Sequence, residues 1–194
     1  KKPEAAIQEA IACGVGHIGE NYIQEATAKI EAIGRSAACW HFIGHLQSNK
    51  ARFAVRYFDY IHTVDSIKLA REIDQQAGSI HKIQAILIQV NIGDETTKFG
   101  TDADQAMDLV KRIHTFENIS IQGLMCMPPF FDDPESARPY FKKLVRIRDL
   151  IQKTALPNVC MTHLSMGMSN DFKVAIEEGA TMVRIGTSIF GARQ

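Results

Sequence analysis

Short apolar segments alternate with amphipathic segments along almost the whole chain. In the first segment, residues 3–13, Ile7 and Ile11 recur at helical spacing, which predicts a helix. The run Ile83–Val90 is mostly apolar, short and rich in isoleucine, as expected of a strand that is buried on both faces. The pattern therefore predicts repeated units of one strand and one helix.

Seven strands and seven main helices follow from this pattern. The strands are predicted at residues 17–19, 40–43, 60–64, 83–90, 119–124, 159–164 and 182–185. The helices are predicted at residues 3–13, 22–33, 48–57 and 66–77, after Asp102, from Pro134, and up to Gly179. Asp102, and Asn170 with Asp171, are predicted to cap the helices that follow them.

Strict alternation of strands and helices predicts an α/β fold with a parallel sheet, and this number of right-handed crossovers favours a (β/α)8 barrel. Because the chain begins on a helix, the first barrel strand is expected to lie before Lys1. The alternative is an open, doubly wound sheet. Its glycine-rich signature is present in residues 14–19, but there it follows a helix instead of a strand. We therefore expect residues 1–194 to form a single barrel domain.

Composition narrows the class of protein. The 194 residues are 45% hydrophobic, enough for one sizeable core, and 22 basic side chains balance 22 acidic ones. This balance argues against a nucleic-acid partner. The chain has no apolar run near the roughly 20 residues that span a bilayer, and its start lacks a secretory signal. Four dispersed cysteines without a Cys-x-x-Cys pair suggest buried free thiols in a cytoplasmic protein.

The candidate chemistry follows the last two predicted strands, where barrels often bind phosphate. The segment from Ser165 to Asp171 places hydroxyl groups around Gly167 just before a helix, and a second small-residue turn contains Gly186 and Thr187. Backbone N–H groups, hydroxyls and a helix dipole can hold an anion there. We expect Ser165 and Thr187 to lie in surface turns that converge on one anion. The alternative is that these residues only cap a helix and permit a tight turn.

Three further polar features leave alternatives open. Arg184 lies within a predicted strand, where an unpaired guanidinium is costly to bury, so it should meet a carboxylate or a ligand. Asn21, after the first predicted strand, could face the barrel mouth or cap the next helix. His41 and His45 lie four residues apart without an evident third ligand, and the other five histidines show no ligand spacing. No metal site is predicted.

Five blocks of the sequence resemble one family, the pyridoxal-phosphate homeostasis proteins, which are relatives of the barrel domain of alanine racemase. The blocks are Lys2-Pro3, residues 19–25, residues 40–47, Leu164-Ser165-Met166-Gly167-Met168-Ser169, and residues 183–191. They occur in the expected order along nearly the whole chain. The resemblance implies a barrel that binds pyridoxal 5′-phosphate (PLP).

The resemblance also assigns roles to residues. It implies that the turns at Ser165–Ser169 and Gly186-Thr187 hold the phosphate and that Arg184 faces the pyridine nitrogen. A lysine immediately before residue 1 would bind the cofactor covalently, with Lys1 in the intervening position and Lys2 near the pocket. The full set of expected cofactor-binding residues is Lys2, Asn21, Ser165, Met166, Gly167, Met168, Arg184, Gly186 and Thr187.

The function implied by the resemblance is reversible binding and supply of PLP, without robust turnover. An amino-acid racemase or decarboxylase of the same barrel type is the alternative. Such enzymes need a second domain, and we expect none here, because only residues 192–194 follow Gly191. A barrel for another phosphorylated metabolite is the third hypothesis. PLP-dependent apoenzymes are the expected partners, and a monomer is the expected state.

Overall fold

The computed structural model describes residues 2–93, 95 and 99–191. It contains one sheet of parallel strands. The strands are β1 (His17–Glu20), β2 (Cys39–Phe42), β3 (Tyr60–Val64), β4 (Gln84–Asn91), β5 (Thr101–Asp102), β6 (Ile119–Cys126), β7 (Val159–Met168) and β8 (Met182–Arg184). All seven predicted strands are present, and the two-residue β5 is an addition that the sequence pattern does not predict.

Helices separate the strands as predicted. They are α1 (Glu4–Ala12), α2 (Ile23–Ile33), α3 (Ala51–Tyr57), α4 (Ile67–Ser79), α5 (Ala106–Ile113), α6 (Arg138–Gln152), α7 (Phe172–Glu177) and α8 (Thr187–Phe190). The last of these is a four-residue helix where only a short tail was predicted. Short 3-10 turns precede α3, α5 and α6.

Neighbouring strands in the sheet follow chain order, from β1 through β2, β3, β4, β6 and β7 to β8, while β5 pairs only with the end of β4. This order and the alternating helices confirm the (β/α)8 barrel class. Within the described ranges, β1 and β8 do not pair with each other, so these two strands do not close the barrel. They are the two edges of the sheet in the part of the chain that the structure describes.

The predicted caps are wrong for two helices. Asp102 makes no side-chain cap, because a 3-10 turn at Ala103–Gln105 separates it from α5. Asp171 stands at the start of α7 but its Oδ1 instead accepts a hydrogen bond from the backbone N–H of Met168, at 2.6 Å. Its carboxylate therefore closes the turn after β7 instead of capping the helix.

The hydrophobic core is packed mainly between the outer face of the sheet and the surrounding helices. Trp40, Phe42, Phe58 and Phe141 are fully buried there. Strand β4 is buried at almost every position, which confirms its predicted burial on both faces. The barrel interior is different, since it contains buried His41, His62 and Ser165, among other polar side chains. Buried polar groups are costly unless they are hydrogen-bonded, so these side chains need partners inside the barrel.

Two composition-based expectations can be compared with the fold. Within the described ranges, no helix has the length and apolar character needed to cross a bilayer. All four cysteines are free thiols, but only Cys126 is buried, whereas Cys13 and Cys160 are exposed. The prediction of buried thiols is therefore wrong for most of them. Wide sequence separation shows that thiols are not paired locally and carries no information on burial.

The side chain of Lys82 links two structural elements and gives the fold a pH dependence. Its Nζ donates to the carbonyl oxygens of Val55 at 2.7 Å and Phe58 at 2.6 Å, at the end of α3. Burial, assisted by Arg35, lowers the pKa of Lys82 to about 8. The unfolded chain therefore binds this proton more tightly than the folded chain, and stability should rise with pH between about 8 and the ordinary value of 10.5.

We expect the free energy of unfolding to rise by about 1 kcal/mol across this window because of Lys82, after allowance for solvent screening. Urea denaturation at several pH values would measure it. Lys82→Met should remove this part of the slope, whereas Lys68→Met, at an exposed position in α4, should keep it. Identical slopes in the wild type and Lys82→Met would contradict the assignment.

Candidate functional site

The turns after β7 and β8 meet at the carboxyl-terminal mouth of the barrel. The backbone N–H of Gly186 approaches Ser169 Oγ at 3.4 Å, and Ser169 is half-buried. Gly186 and Thr187 are exposed, and Thr187 begins α8. The first N–H groups of a helix have no partner within the helix and can bind an anion. The two predicted turns therefore lie side by side, and their binding of one anion stays a prediction.

Gly167 allows the first of these turns to pack tightly against α7. Its φ is +91°, and a Cβ atom at this position would lie 2.6 Å from the Cβ of Ala175. Any larger residue would thus combine backbone strain with a steric clash. Together with the Met168–Asp171 hydrogen bond, this packing fixes the turn in one shape.

The two methionines of this segment have different environments. Met166 is fully buried in the hydrophobic core, so only its main-chain atoms are candidates for ligand contact. Met168 is half-buried and pairs in register with Arg184 on β8. Strand pairing thus places the end of β7 beside the predicted arginine.

Arg184 is held by neutral oxygen atoms instead of the carboxylate considered from the sequence. One guanidinium nitrogen donates to the backbone carbonyl and to the Oγ of Ser165, both at 2.8 Å, and the other donates to the carbonyl of Cys126 at 2.8 Å. Burial lowers the pKa of the Arg184 guanidinium. These three hydrogen bonds orient the guanidinium. It forms no salt bridge with a carboxylate of the described residues, although the charge of Asp171 partly offsets the effect of burial on its pKa.

Ser165 does not lie in a surface turn, and that prediction is wrong. β7 continues to Met168, four residues beyond the predicted end, so Ser165 lies within the strand and is fully buried. Its Oγ contacts Arg184 and also lies 3.0 Å from Nδ1 of His62. Ser165 therefore positions Arg184, while the half-buried hydroxyl group of Ser169 lies in the turn after β7, next to Gly186.

A row of histidines extends from Ser165 across the barrel. His62 Nε2 lies 2.8 Å from His41 Nδ1, and His41 Nε2 lies 2.9 Å from His17 Nδ1. With Ser165 and Arg184, these side chains form a continuous hydrogen-bonded row, which we call the histidine relay. It joins the mouth of the barrel to the opposite, amino-terminal end, where β1 begins at His17.

The interior histidines are held in their neutral form. Burial, assisted by His17, lowers the pKa of His41 to about 4. Burial and then His41 and Arg184 keep the pKa of His62 well below its ordinary value. Each neutral ring has one donor and one acceptor nitrogen, as a continuous row of hydrogen bonds requires.

Sequence reasoning missed the histidine relay because it searched along the chain. His41 does not pair with His45. The latter lies beyond the carboxyl end of β2 and stacks on Phe99 with a ring-centroid distance of 3.7 Å. The partners of His41 come from adjacent strands, and the sheet register brings His17 opposite Cys39 and His41 opposite Tyr60. Histidines near the starts of consecutive predicted strands were the signal that could have revealed the relay.

Two other predicted residues lie near the mouth. Lys2 Nζ donates to the carbonyl oxygens of Phe190 at 2.6 Å and Gly191 at 3.1 Å, which places it beside the end of α8. Asn21 is exposed just after β1, and α2 has no side-chain cap. The capping alternative for Asn21 is therefore not realised. Lys1 lies outside the described residues.

The absence of a side chain at Gly44 allows the loop after β2 to pass close to the backbone of Asn21. A Cβ atom at Gly44 would lie 2.0 Å from the backbone oxygen of Asn21, so only glycine fits this close approach between two loops. The carbonyl oxygen of Gly44 also accepts a hydrogen bond from Thr63 Oγ1 at 2.7 Å. The loops after β1 and β2 are thus held together at the mouth, and the second is tied to the end of β3.

Comparison with known proteins shows the family of the chain. The family model of the alanine racemase N-terminal domain matches residues 4–194. The pyridoxal phosphate homeostasis protein of Aquifex aeolicus is 44% identical over 192 residues, which cover 99% of this chain and 83% of that protein. The protein of the same name from Escherichia coli is 39% identical over 200 residues, covering 99% and 82%.

Solved structures resemble the whole chain. PipY of Synechococcus elongatus without PLP has a TM-score of 0.91 and 38% identity, covering 97% of this chain and 88% of PipY. PipY with PLP bound has a TM-score of 0.88 and 37% identity, with the same coverage. The alanine racemase of Clostridium difficile shares the fold, with a TM-score of 0.77 at 15% identity over 98% of this chain and 50% of the racemase. The chain therefore belongs to the family of pyridoxal phosphate homeostasis proteins, within the wider family of the alanine racemase N-terminal domain.

Proposed function

We propose that this chain binds PLP reversibly at the mouth of the barrel and maintains its supply to other proteins, without robust catalytic turnover. The observation that carries the proposal is the meeting of Ser169 with the Gly186 turn beside Arg184. This arrangement offers an anion-binding turn and an oriented cation to one small ligand. PipY, with PLP bound in one of its structures, is a relative of the same fold.

The phosphate group of PLP fits the two converging turns. Ser169 and Thr187 supply hydroxyl donors, and the start of α8 supplies backbone N–H groups. Hydrogen bonds to a charged phosphate are stronger than those to a neutral group. Gly167 and Asp171 fix the turn in advance, so binding requires little ordering of the backbone.

The aromatic ring of PLP would lie toward Arg184, with its pyridine nitrogen facing the guanidinium. A guanidinium only donates hydrogen bonds and stays protonated, so it favours an unprotonated pyridine nitrogen. When bound, PLP supplies an electron sink. That sink is weaker with an unprotonated ring nitrogen than with the protonated nitrogen that an aspartate partner maintains. Arg184 therefore suits retention of the cofactor more than carbanion chemistry.

The covalent link is assigned by resemblance to a lysine immediately before Lys1. Lys2 contacts the carbonyl oxygens at the end of α8 and so holds the start of the described chain beside the phosphate turns. We propose that Lys2, Asn21, Met166, Met168 and the residues of the two turns surround the cofactor, whereas Ser165 acts through Arg184.

PLP-dependent apoenzymes are the proposed recipients, a monomer the proposed state, and the cytoplasm the proposed location. A carrier must release its ligand. The exposure of Gly186 and Thr187 at the mouth favours exchange with solvent. Release of bound PLP to an apoenzyme can be followed by the activity that the apoenzyme recovers.

Visible absorption tests the proposal on the full-length protein. We expect the purified protein to be yellow or to become yellow on titration with PLP, because the turns, Arg184 and the family lysine together hold the cofactor. Borohydride reduction followed by peptide mass mapping should locate PLP on one lysine. A colourless protein that takes up no PLP would overturn the proposal, and tight binding of other phosphorylated metabolites would favour a different ligand.

A racemase assay separates the carrier from an enzyme of the same fold. We expect negligible turnover with alanine and with basic amino acids, because general acid–base catalysis needs a second positioned group. Racemisation near the roughly 10 per second typical of enzymes would contradict the non-catalytic function.

A further inference from the structure

The amino-terminal end of the barrel carries a second cluster of potential ligands, remote from the phosphate turns. His17 at the start of β1, Cys39 at the start of β2 and His41 two residues later each direct one donor atom to the same place. These donor atoms all lie within 4.8 Å of one another. It is the only group of this kind among the residues that the structure describes.

We propose that His17, Cys39 and His41 form a binding site for a borderline-soft divalent cation of the zinc class. Imidazole and thiolate are the ligands such ions prefer, and three protein ligands leave a fourth, tetrahedral position for water. Ligand atoms around tetrahedral zinc lie about 3.3–3.8 Å apart, given bond lengths of about 2.0–2.3 Å. The observed separation of the His17 and His41 nitrogens, 2.9 Å, needs only a small opening to accept the ion.

Access and rigidity both favour such a site. His17 is exposed, so an ion can enter from solvent, while Cys39 is half-buried and His41 is buried. His41 is also stacked on Tyr60, with ring centroids 4.9 Å apart and planes at 10°. One exposed and one buried imidazole therefore flank the thiol. Binding of the cation releases the proton of the Cys39 thiol to solvent. The three ligands, one thiolate and two neutral imidazoles, then have a total charge of −1.

The histidine relay supplies the outer contacts that a metal site requires. A ligating histidine usually donates its other ring N–H to a fixed acceptor, which sets its tautomer. With the ion on His41 Nε2, the Nδ1–H of His41 can donate to His62 Nε2, across the observed 2.8 Å. His62 Nδ1–H can then donate to Ser165 Oγ at 3.0 Å. Metal binding at one end of the barrel thereby fixes the hydrogen positions beside Arg184 at the other.

Cobalt(II) is a suitable probe, because thiolate-bound tetrahedral cobalt has an intense sulfur-to-metal charge-transfer band. We expect the full-length protein to bind one equivalent of Co²⁺ with this band and to lose Co²⁺ to added Zn²⁺. Cys39→Ser should abolish the charge-transfer band, and His17→Asn should weaken binding at least about tenfold. Cys160→Ser and His81→Asn are matched controls at exposed positions outside the cluster, and they should bind Co²⁺ like the wild type.

His17 is the histidine chosen for substitution because it is exposed, whereas replacing buried His41 can prevent folding. Circular dichroism of each variant verifies the fold. His62→Gln should weaken Co²⁺ binding about 10- to 100-fold while keeping the charge-transfer band, as expected of a residue that orients a ligand. The proposal is overturned if the wild type shows no such band, or if Cys39→Ser and His17→Asn bind Co²⁺ as tightly as the two controls.

Discussion

Simultaneous replacement of Ser169 and Thr187 by alanine is expected to weaken PLP binding by roughly a hundredfold or more. Each hydroxyl lost from a charged phosphate costs about 1.5–3 kcal/mol, and a factor of ten in affinity corresponds to about 1.4 kcal/mol. Neither side chain is buried in the core, so the fold should be preserved. PLP titration monitored by visible absorption would measure the change.

The matched control removes two exposed hydroxyls elsewhere, Ser79 at the end of α4 and Thr162 in β7. The double variant of Ser79 and Thr162 should bind PLP like the wild type. If the Ser169 and Thr187 variant also retains wild-type affinity, the phosphate site lies elsewhere. Ser165→Ala is a different experiment, because Ser165 is buried and its loss alters the support of Arg184.

Gly123→Ala is expected to destabilise the protein by about 3 kcal/mol. A Cβ atom at Gly123 would lie 1.8 Å from the carbonyl oxygen of His163, an atom of the adjacent strand that cannot rotate away. Overpacking a rigid region typically costs about 1–3 kcal/mol, and a clash with backbone belongs to the upper end. The free energy of unfolding from urea denaturation would measure the loss.

The control for this prediction is Gly16→Ala, where no heavy atom lies within 4 Å of the added Cβ. Its free energy of unfolding should change by less than about 1 kcal/mol. Because Gly123 pairs with His163 two residues before Ser165, a displaced β7 should also lower PLP affinity. Equal stability of the two alanine variants would show that β6 and β7 separate easily at this point.

The barrel interior shows how the fold supports the proposed functions. Many apolar side chains of the strands, such as those of fully buried Trp40 and Ile61, belong to the hydrophobic core that also contains the helix residues. The interior is left for His41, His62, Ser165 and other polar side chains. Each of these three is hydrogen-bonded to a neighbour in the relay, which offsets the cost of burying it.

Local pattern was sufficient for most of the elements and for naming two turns as candidates. The period of apolar residues predicted the seven longer strands because it depends on which face of a segment is buried. Gly186 and Thr187 were named as candidates because anion-binding turns in barrels follow the last strands in chain order. The extension of β7 to Met168 was missed, since Ser165 and Gly167 are not typical strand residues.

By itself, the sequence determined the order of strands and helices, the barrel class and the turns that meet at the mouth, because these depend on local periodicity and chain order. Only the tertiary structure decided that Ser165 points inward to Arg184 and that His17 and His41 meet beside Cys39. Those contacts depend on the register of strands far apart in sequence, and a shift of one residue would turn each side chain to the other face. Register is set by the packing of the whole barrel, which no single segment encodes.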